Sequence, residues 1–251
     1  EWMGVNPLPS IRILNNEDIP RILAIAHTVG WTQTAQDLAR MLRYAPDGCF
    51  GLELPAGGDG AGGLGSTAMA FSHGEELGWI AMVLTDPALR GRGLASRLME
   101  HAIRHLRERG THWIKLDASD LGRPIYERMG FAAENVMERR LRVAAAMPEP
   151  RLAASLSLSE SSALPLGLDR RGFGANRELL LQMLREIEGA RMVVVAGEQG
   201  YAILRPNSRG VQLGPMLSES AAAAEAMLRW AIEQAGDRTL QWDLIRENDA
   251  A

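Results

Sequence analysis

A chain of 251 residues is long enough for one large or two small domains, and a hydrophobic share of 46% supplies real cores. The formal charge of −4, with no Lys/Arg block, argues against nucleic acid as a partner. The single cysteine, Cys49, leaves no internal disulfide and fits a reducing, cytoplasmic compartment; no apolar run approaches the ~20 residues that span a bilayer. The N-terminus lacks a basic region followed by an apolar run, so no secretory signal is expected.

Residues 11–14 read as a first strand, and Asn16 can cap a helix over 17–28. A second helix over 34–43 ends at Pro46-Asp47-Gly48. Strands follow over 49–54 and 66–72, and the Gly-, Ala- and Asp-rich stretch 55–65 between them reads as a loop. Residues 79–85 form an apolar strand. The helix over 94–109 places Leu94, Leu98, Ala102, Ile103 and Leu106 on one face. A strand over 113–118 leads to a helix over 123–129, capped by Ser119 or Asp120, and then to one or two closing strands within 131–143. Residues 144–150 read as a linker. Beyond it come a helix capped at Asn176, strands over 191–195, 201–205 and 211–216, a helix over 219–234 and a strand over 239–244. The order helix-β-β-β-helix-β also describes residues 34–118. The chain therefore reads as a tandem repeat of one fold, with domains over 1–146 and 151–251.

The most informative segment joins the strand over 79–85 to the helix at Leu94. Gly91 and Gly93 let the backbone turn with its N–H groups inward and no Cβ in the way. The helix start adds free N–H groups and the positive end of its dipole. With Arg90, Arg92 and Arg97 around it, the stretch Arg90, Gly91, Arg92, Gly93, Leu94, Ala95 and Ser96 reads as a seat for a diphosphate. A Walker A loop needs a Lys after the glycines, and none is there. A dinucleotide fingerprint finds Gly91-x-Gly93 but meets Ser96 at its third glycine. Asp86 to Arg90 also separate the glycines from the strand. An NAD(P)-dependent oxidoreductase, with Asp117 as the acidic residue ending the next strand, is the third reading.

Arg90-Gly91-Arg92-Gly93-Leu94-Ala95 resembles the Q/R-x-x-G-x-G/A motif of the GNAT superfamily of acyl-CoA-dependent N-acetyltransferases. Leu84-Thr85-Asp86-Pro87 looks like that family's strand end before the loop. Tyr126-Glu127-Arg128-Met129-Gly130-Phe131 is similar to its Tyr-x-x-x-Gly-Phe segment, at the usual separation. The resemblance covers about residues 11–143. It implies an α/β fold with a mixed (α+β) sheet, acetyl-CoA as co-substrate, and direct transfer of the acetyl group to a primary amine. It implies that Val83, Leu84 and Thr85 bind the pantetheine arm through backbone groups on a strand splayed from its neighbour. A backbone N–H there would serve the oxyanion. It further implies that the N–H groups of residues 91–96 hold the diphosphate. Tyr126 would donate a proton to the departing thiolate. Ser119 stands where many relatives carry an Asn that contacts the cofactor.

Many relatives use a Glu base on a central strand, but residues 79–85 carry no carboxylate and Ile114 occupies one usual Glu position. Asp117, His73, Glu75, Glu76 and Asp37 are the candidates, with Asp117 equally suited to capping a turn. The acceptor pocket is expected from the early helices. There Trp31 offers an aromatic face and Asp37 a charge for a cationic amine, against a plain reading as a core-packed loop residue and a solvated helix residue. His101 and His105 lie one helical turn apart without a third ligand, so no metal site is expected. Cys49 reads as a buried thiol.

In the second half, Gly214-Pro215-Met216-Leu217-Ser218-Glu219-Ser220-Ala221 stands where the Gly-rich loop would be, and Glu219 would repel a diphosphate. This half, through Phe173-Gly174-Ala175-Asn176-Arg177 and Leu213-Gly214-Pro215, resembles the degenerate C-terminal GNAT-like domain of tandem acetyltransferases. The family's last helix and strand would lie beyond Ala251, so a C-terminally shortened repeat is expected. The favoured reading is an acetyltransferase with a small-molecule amine acceptor, no nucleic-acid or membrane partner, and a monomeric or homodimeric state. The rival is a non-catalytic acyl-CoA sensor or scaffold, motivated by the missing base.

Overall fold

In the computed structural model, residues 9–55, 62–143 and 156–245 are described, and the chain divides into two units, Glu1–Phe131 and Ala132–Ala251. The first unit runs β1 (Ser10–Ile13), α1 (Ile19–Thr28), α2 (Ala35–Tyr44), β2 (Cys49–Leu54), β3 (Gly63–His73), β4 (Leu77–Thr85), α3 (Leu94–Glu108), β5 (Trp113–Leu116) and α4 (Arg123–Arg128). Its sheet has the order β1-β2-β3-β4-β5, antiparallel except for the parallel β4–β5 pair. Parallel neighbours need a crossover, and α3 supplies it.

The helix starts are set by side chains. Asn15, not Asn16, caps the first helical stretch: its Oδ1 accepts from the Glu17 amide at 2.8 Å, and Asp18 accepts from the Asn15 amide at 2.9 Å. A 3₁₀ turn over Asn16–Asp18 intervenes, so α1 begins two residues later than Glu17, with Pro20 in its first turn. Thr34 and Asp37 form the same capping box at α2.

Two cores sandwich the sheet. On one face α3 buries Leu94, Leu98, Met99, Ala102 and Leu106 against Phe50, Leu52, Ala68, Ala70 and Ile80. At about 1.5–3 kcal/mol per large apolar side chain, this face outweighs any surface ion pair on the helix. On the other face α1 and α2 bury Ile22, Ile25, Leu38 and Leu42 against Cys49, Met69, Met82 and Leu84.

The second unit runs β6 (Met137–Arg142), β7 (Leu158–Glu160), α5 (Leu166–Phe173), α6 (Glu178–Arg185), β8 (Arg191–Val195), β9 (Gly200–Asn207), β10 (Gly210–Ser218), α7 (Ala221–Ala235) and β11 (Thr239–Ile245). Its strand order is β6-β11-β10-β9-β8-β7, with β10–β11 parallel. From β7 onward it repeats the first unit: two helices, three antiparallel strands, a crossover helix and a parallel strand. The short β7 and α5, which the sequence pattern does not announce, correspond to β1 and α1.

Residues 131–143, expected to close the first sheet, instead supply β6 to the second. β6 pairs antiparallel with β11 from Arg142↔Leu240 to Met137↔Ile245, and Arg139 forms a two-pronged ion pair with Asp243 at 2.8 and 2.9 Å. Of the loop expected over 55–65, residues 56–61 lie outside the described residues and 63–65 belong to β3; the linker over 144–150 also lies outside. Among the described residues, no helix is long and apolar enough to cross a membrane.

Candidate active site

β4 is the strand that makes the site. It pairs with β5 only from Leu77↔Trp113 to Ile80↔Leu116, so Ala81–Thr85 extend past the end of their parallel neighbour. On its other edge, the register with β3 shifts between Thr67↔Leu84 and Met69↔Ala81, which sets two residues, Met82 and Val83, against Ala68 alone. This is a β-bulge, and Met82 carries its strain with a φ of 52°. As a result Ala81 and Met82, adjacent in sequence, both pack towards the α1–α2 cluster. Two buried hydroxyls of β3 pin the distorted stretch. Thr67 Oγ1 donates to the Met82 carbonyl and Ser66 Oγ to the Leu84 carbonyl, both at 2.7 Å. Ser66 and Thr85 share a further hydroxyl contact at 2.8 Å. A strand that outruns its parallel neighbour and carries a fixed kink can hold an extended ligand arm as a sheet would hold its next strand.

Past Thr85 the chain enters the Gly-rich loop. Asp86 accepts from the Ala88 amide at 2.9 Å and pairs with Arg21 of α1, which also donates to the Leu64 carbonyl at 3.1 Å. The Ala88 amide, with Arg21, holds the Asp86 carboxyl below the usual carboxylate range. Gly91 and Gly93 take left-handed φ values of 76° and 74°, and a Cβ on either would meet only open space. Gly93 is the N-cap of α3 and offers no side-chain hydrogen bond, and the first turn carries no acidic residue. The opening amides of a fifteen-residue helix thus face an exposed loop bearing Arg90 and Arg92, with Arg97 exposed in the helix's own first turn. This cradle fits a diphosphate: left-handed glycines, uncapped amides and positive charge meet at one place.

The other expected residues are placed as follows. Tyr126 lies on α4, buried in the α3-side core with its ring edge-on to Phe131. Burial pushes its phenol above the ordinary value, so it keeps its proton at neutral pH. Asp117 directly follows β5 and is exposed. Ser119 accepts from the Gly122 amide at 3.3 Å and builds the turn before α4; the N-cap of α4 is Gly122, not Ser119 or Asp120. Trp31 is half-buried against the α1–α2 core. Asp37 spends its carboxylate on the Thr34 amide and hydroxyl, each at 2.8 Å, and on Arg40. That is a helix-capping task, and we do not assign Asp37 to the acceptor. His73 is buried at the far end of β3, bonded through Nδ1 to the Tyr44 hydroxyl at 2.9 Å. Burial pushes the Cys49 thiol up to about 12, which removes it as a nucleophile. His101 and His105 both sit edge-on to Phe50, and among the described residues no group of three or more His, Cys, Asp or Glu is placed to hold a metal.

The second unit repeats the splay without the cradle. β10 pairs with β11 only from Gly210↔Thr239 to Leu213↔Trp242, and its register with β9 shifts between Leu213 and Met216. Only Glu219 and Ser220 then separate β10 from α7. Ser220 caps the helix by accepting from the Ala223 amide at 3.2 Å, and Glu219 pairs with Arg171 at 2.8 Å.

The chain and its fold match known proteins. A model of the acetyltransferase (GNAT) family matches residues 16–131, and a model of an acetyltransferase (GNAT) domain matches residues 166–251. The chain belongs to the GNAT acetyltransferase family and carries two GNAT domains in tandem. It is 36% identical over 70 residues to a glucosamine 6-phosphate N-acetyltransferase of Trypanosoma brucei brucei; the match spans 28% of this chain and 46% of that one, about half the relative's length. A crystal structure of an acetyltransferase candidate from Pyrococcus horikoshii superposes with a TM-score of 0.77 at 20% identity, covering 96% of this chain and 83% of that one. A GCN5-related N-acetyltransferase from Sphaerobacter thermophilus gives 0.64 at 13% identity, with 97% and 88% covered. At these identities the likeness is one of fold.

Proposed function

We propose that the first domain binds acetyl-CoA along β4 and the loop at 86–93, and transfers the acetyl group directly to a primary amine of a small molecule in the cytoplasm. The observation that carries this reading is the continuity of the bulged, splayed end of β4 with an uncapped, arginine-flanked helix start. One surface offers backbone groups to an extended amide-bearing arm and then amides to a diphosphate. Val83, Leu84 and Thr85 would hold the arm, and residues 91–96 the diphosphate, with Arg90 beside them. A backbone N–H group at the Met82 bulge would serve the tetrahedral oxyanion of a thioester laid against Ala81–Val83. Tyr126, protonated at neutral pH, returns a proton to the leaving sulfur. Asp117, next to the splay, is the carboxylate we assign to taking the amine proton, directly or through water. Ser119 shapes the turn that presents α4. The match to a glucosamine 6-phosphate N-acetyltransferase supports a small polar amine as acceptor, with Trp31 lining its approach.

Calorimetric titration with acetyl-CoA, with NAD as control, tests this reading. Wild-type protein is expected to bind acetyl-CoA and ignore NAD. Gly93→Glu sets a carboxylate at the diphosphate seat, where space is open but the left-handed φ of 74° adds strain of about 1–2 kcal/mol. It is expected to weaken binding by at least about tenfold, the effect of losing one charge-assisted contact worth 1.5–3 kcal/mol. Unchanged affinity in a folded Gly93→Glu protein would remove the loop from the site.

A further inference from the structure

Among the 27 lysine and arginine residues of the chain only one is a lysine, Lys115. An arginine guanidinium stays charged and offers no nucleophilic lone pair, so Lys115 is the only side-chain amine that can accept an acyl group. Its place in the fold is specific. Lys115 lies on β5 opposite Trp79, one pair before the β4–β5 ladder ends at Ile80↔Leu116. Its neighbours Ile114 and Leu116 pack into the α3-side core. Alternation along the strand puts Lys115 on the opposite face, the one on which Ala81 and Met82 meet the α1–α2 cluster. There it is half-buried. A strand spacing of ~4.8 Å and a rise of ~3.3 Å per residue put its Cα about 8 Å from that of Ala81. A four-methylene stem reaches about 6 Å, enough to bring Nζ to a thioester lying on Ala81–Val83.

We propose that Lys115 is a self-acetylation site, modified by acetyl-CoA bound in the same chain; this rests on the acyl-CoA reading of the β4 site. Neutral Nζ adds to the thioester carbonyl carbon, the C–S bond breaks, and the acetyl group stays on nitrogen as an amide. The ammonium loses one proton to water before attack and a second after it. The departing thiolate takes up one proton, from Tyr126 or water, and leaves as CoA. No oxidant or reductant enters. The product is neutral, so the reaction strips a positive charge from the face that an amine acceptor must approach.

The test is the intact mass of the full chain over time with acetyl-CoA, followed by peptide mapping. One acetyl group is expected per chain, on the Lys115 peptide, at a rate independent of protein concentration. Bound proximity should make labelling at least about tenfold faster than in Gly93→Glu. Lys115→Arg should gain no acetyl group. If Gly93→Glu does not fold, competition by desulfo-CoA replaces it and should slow labelling to the same extent. Calorimetric binding of acetyl-CoA without mass gain would overturn the Lys115 proposal and leave the acyl-CoA reading standing. No binding would overturn both. Equal labelling in Gly93→Glu, or labelling only of the N-terminal amine, would make the reaction ordinary chemical acetylation and end the proposal. A rate that rises with protein concentration would place the transfer between molecules and overturn the placement within one chain.

Discussion

Tyr126 owes its position to a glycine. A Cβ added to Gly122 would lie 2.8 Å from the Tyr126 ring at Cε2 and 3.0 Å from its Cζ and hydroxyl oxygen. The φ of Gly122 is −82°, which any residue adopts, so Gly122→Ala leaves the backbone unstrained and acts by displacing the ring. Tyr126→Phe instead keeps the packing and deletes the hydroxyl. If Tyr126 is the acid, Tyr126→Phe is expected to lower turnover by about 10²-fold, within the usual worth of a general acid, and Gly122→Ala to lower it by less, both with acetyl-CoA affinity unchanged. CoA release with an accepted amine, read beside calorimetry, checks this; full turnover in both variants assigns the proton to water. Because burial raises the Tyr126 phenol, a rate that falls with rising pH across the neutral range must come from another group. Tyr126 was legible in the sequence because Gly130-Phe131 fix its register. Gly122 was not, since a glycine before Arg-Pro reads as an ordinary turn. Met82 was not legible either: a methionine at positive φ leaves no mark in residue type, and only the pairing of β3 with β4 reveals it.

At the level of elements, the bulge in β4 is only as rigid as the groups that satisfy it. Thr67 is fully buried, and its hydroxyl is what the Met82 carbonyl receives in place of a regular ladder partner. Thr67→Val keeps the shape and removes the donor. It is expected to cost about 1–3 kcal/mol in denaturant unfolding, the penalty for an unsatisfied buried carbonyl. It should also weaken acetyl-CoA binding, because the kinked edge relaxes. Unchanged stability and affinity would mean that the kink needs no such support. β6 poses a different problem. Its sequence, Met-Glu-Arg-Arg-Leu-Arg, is mostly charged, as suits a strand at a sheet edge, but nothing local says which sheet it joins. Its ion pair to Asp243 is half-exposed and worth about 0.2–1 kcal/mol, so the six-residue ladder with β11 contributes more to holding it there. A fragment over 132–251 is therefore expected to fold with a sharper and higher thermal transition than one over 151–251, which starts where the sequence placed the second domain. Equal transitions would show that β6 adds nothing to that sheet.

For the whole molecule, the repeat was legible because helix-β-β-β-helix-β is a pattern of periodicities, and these survive large changes in side chains. What separates the two copies is a connection. Both units build a short parallel pair, a register shift and a strand end that is no longer paired with its parallel neighbour. In the first unit, residues 86–93 then carry two left-handed glycines into an uncapped helix. In the second, Glu219 and Ser220 make the whole connection, and Ser220 already satisfies a helix amide that a diphosphate would need. Glu219 adds a negative charge beside the helix start, where the dipole would otherwise favour an anion. A diphosphate there would have to displace the cap and overcome the repulsion, each worth about 1 kcal/mol, with no flanking glycine to bring other amides closer. Titration with acetyl-CoA is therefore expected to saturate at one molecule per chain, and Gly93→Glu to weaken that single site at least about tenfold without revealing another. Saturation at two would show that the second splay binds the arm without a phosphate seat, and would move the weight of recognition from the loop to the bulged strand.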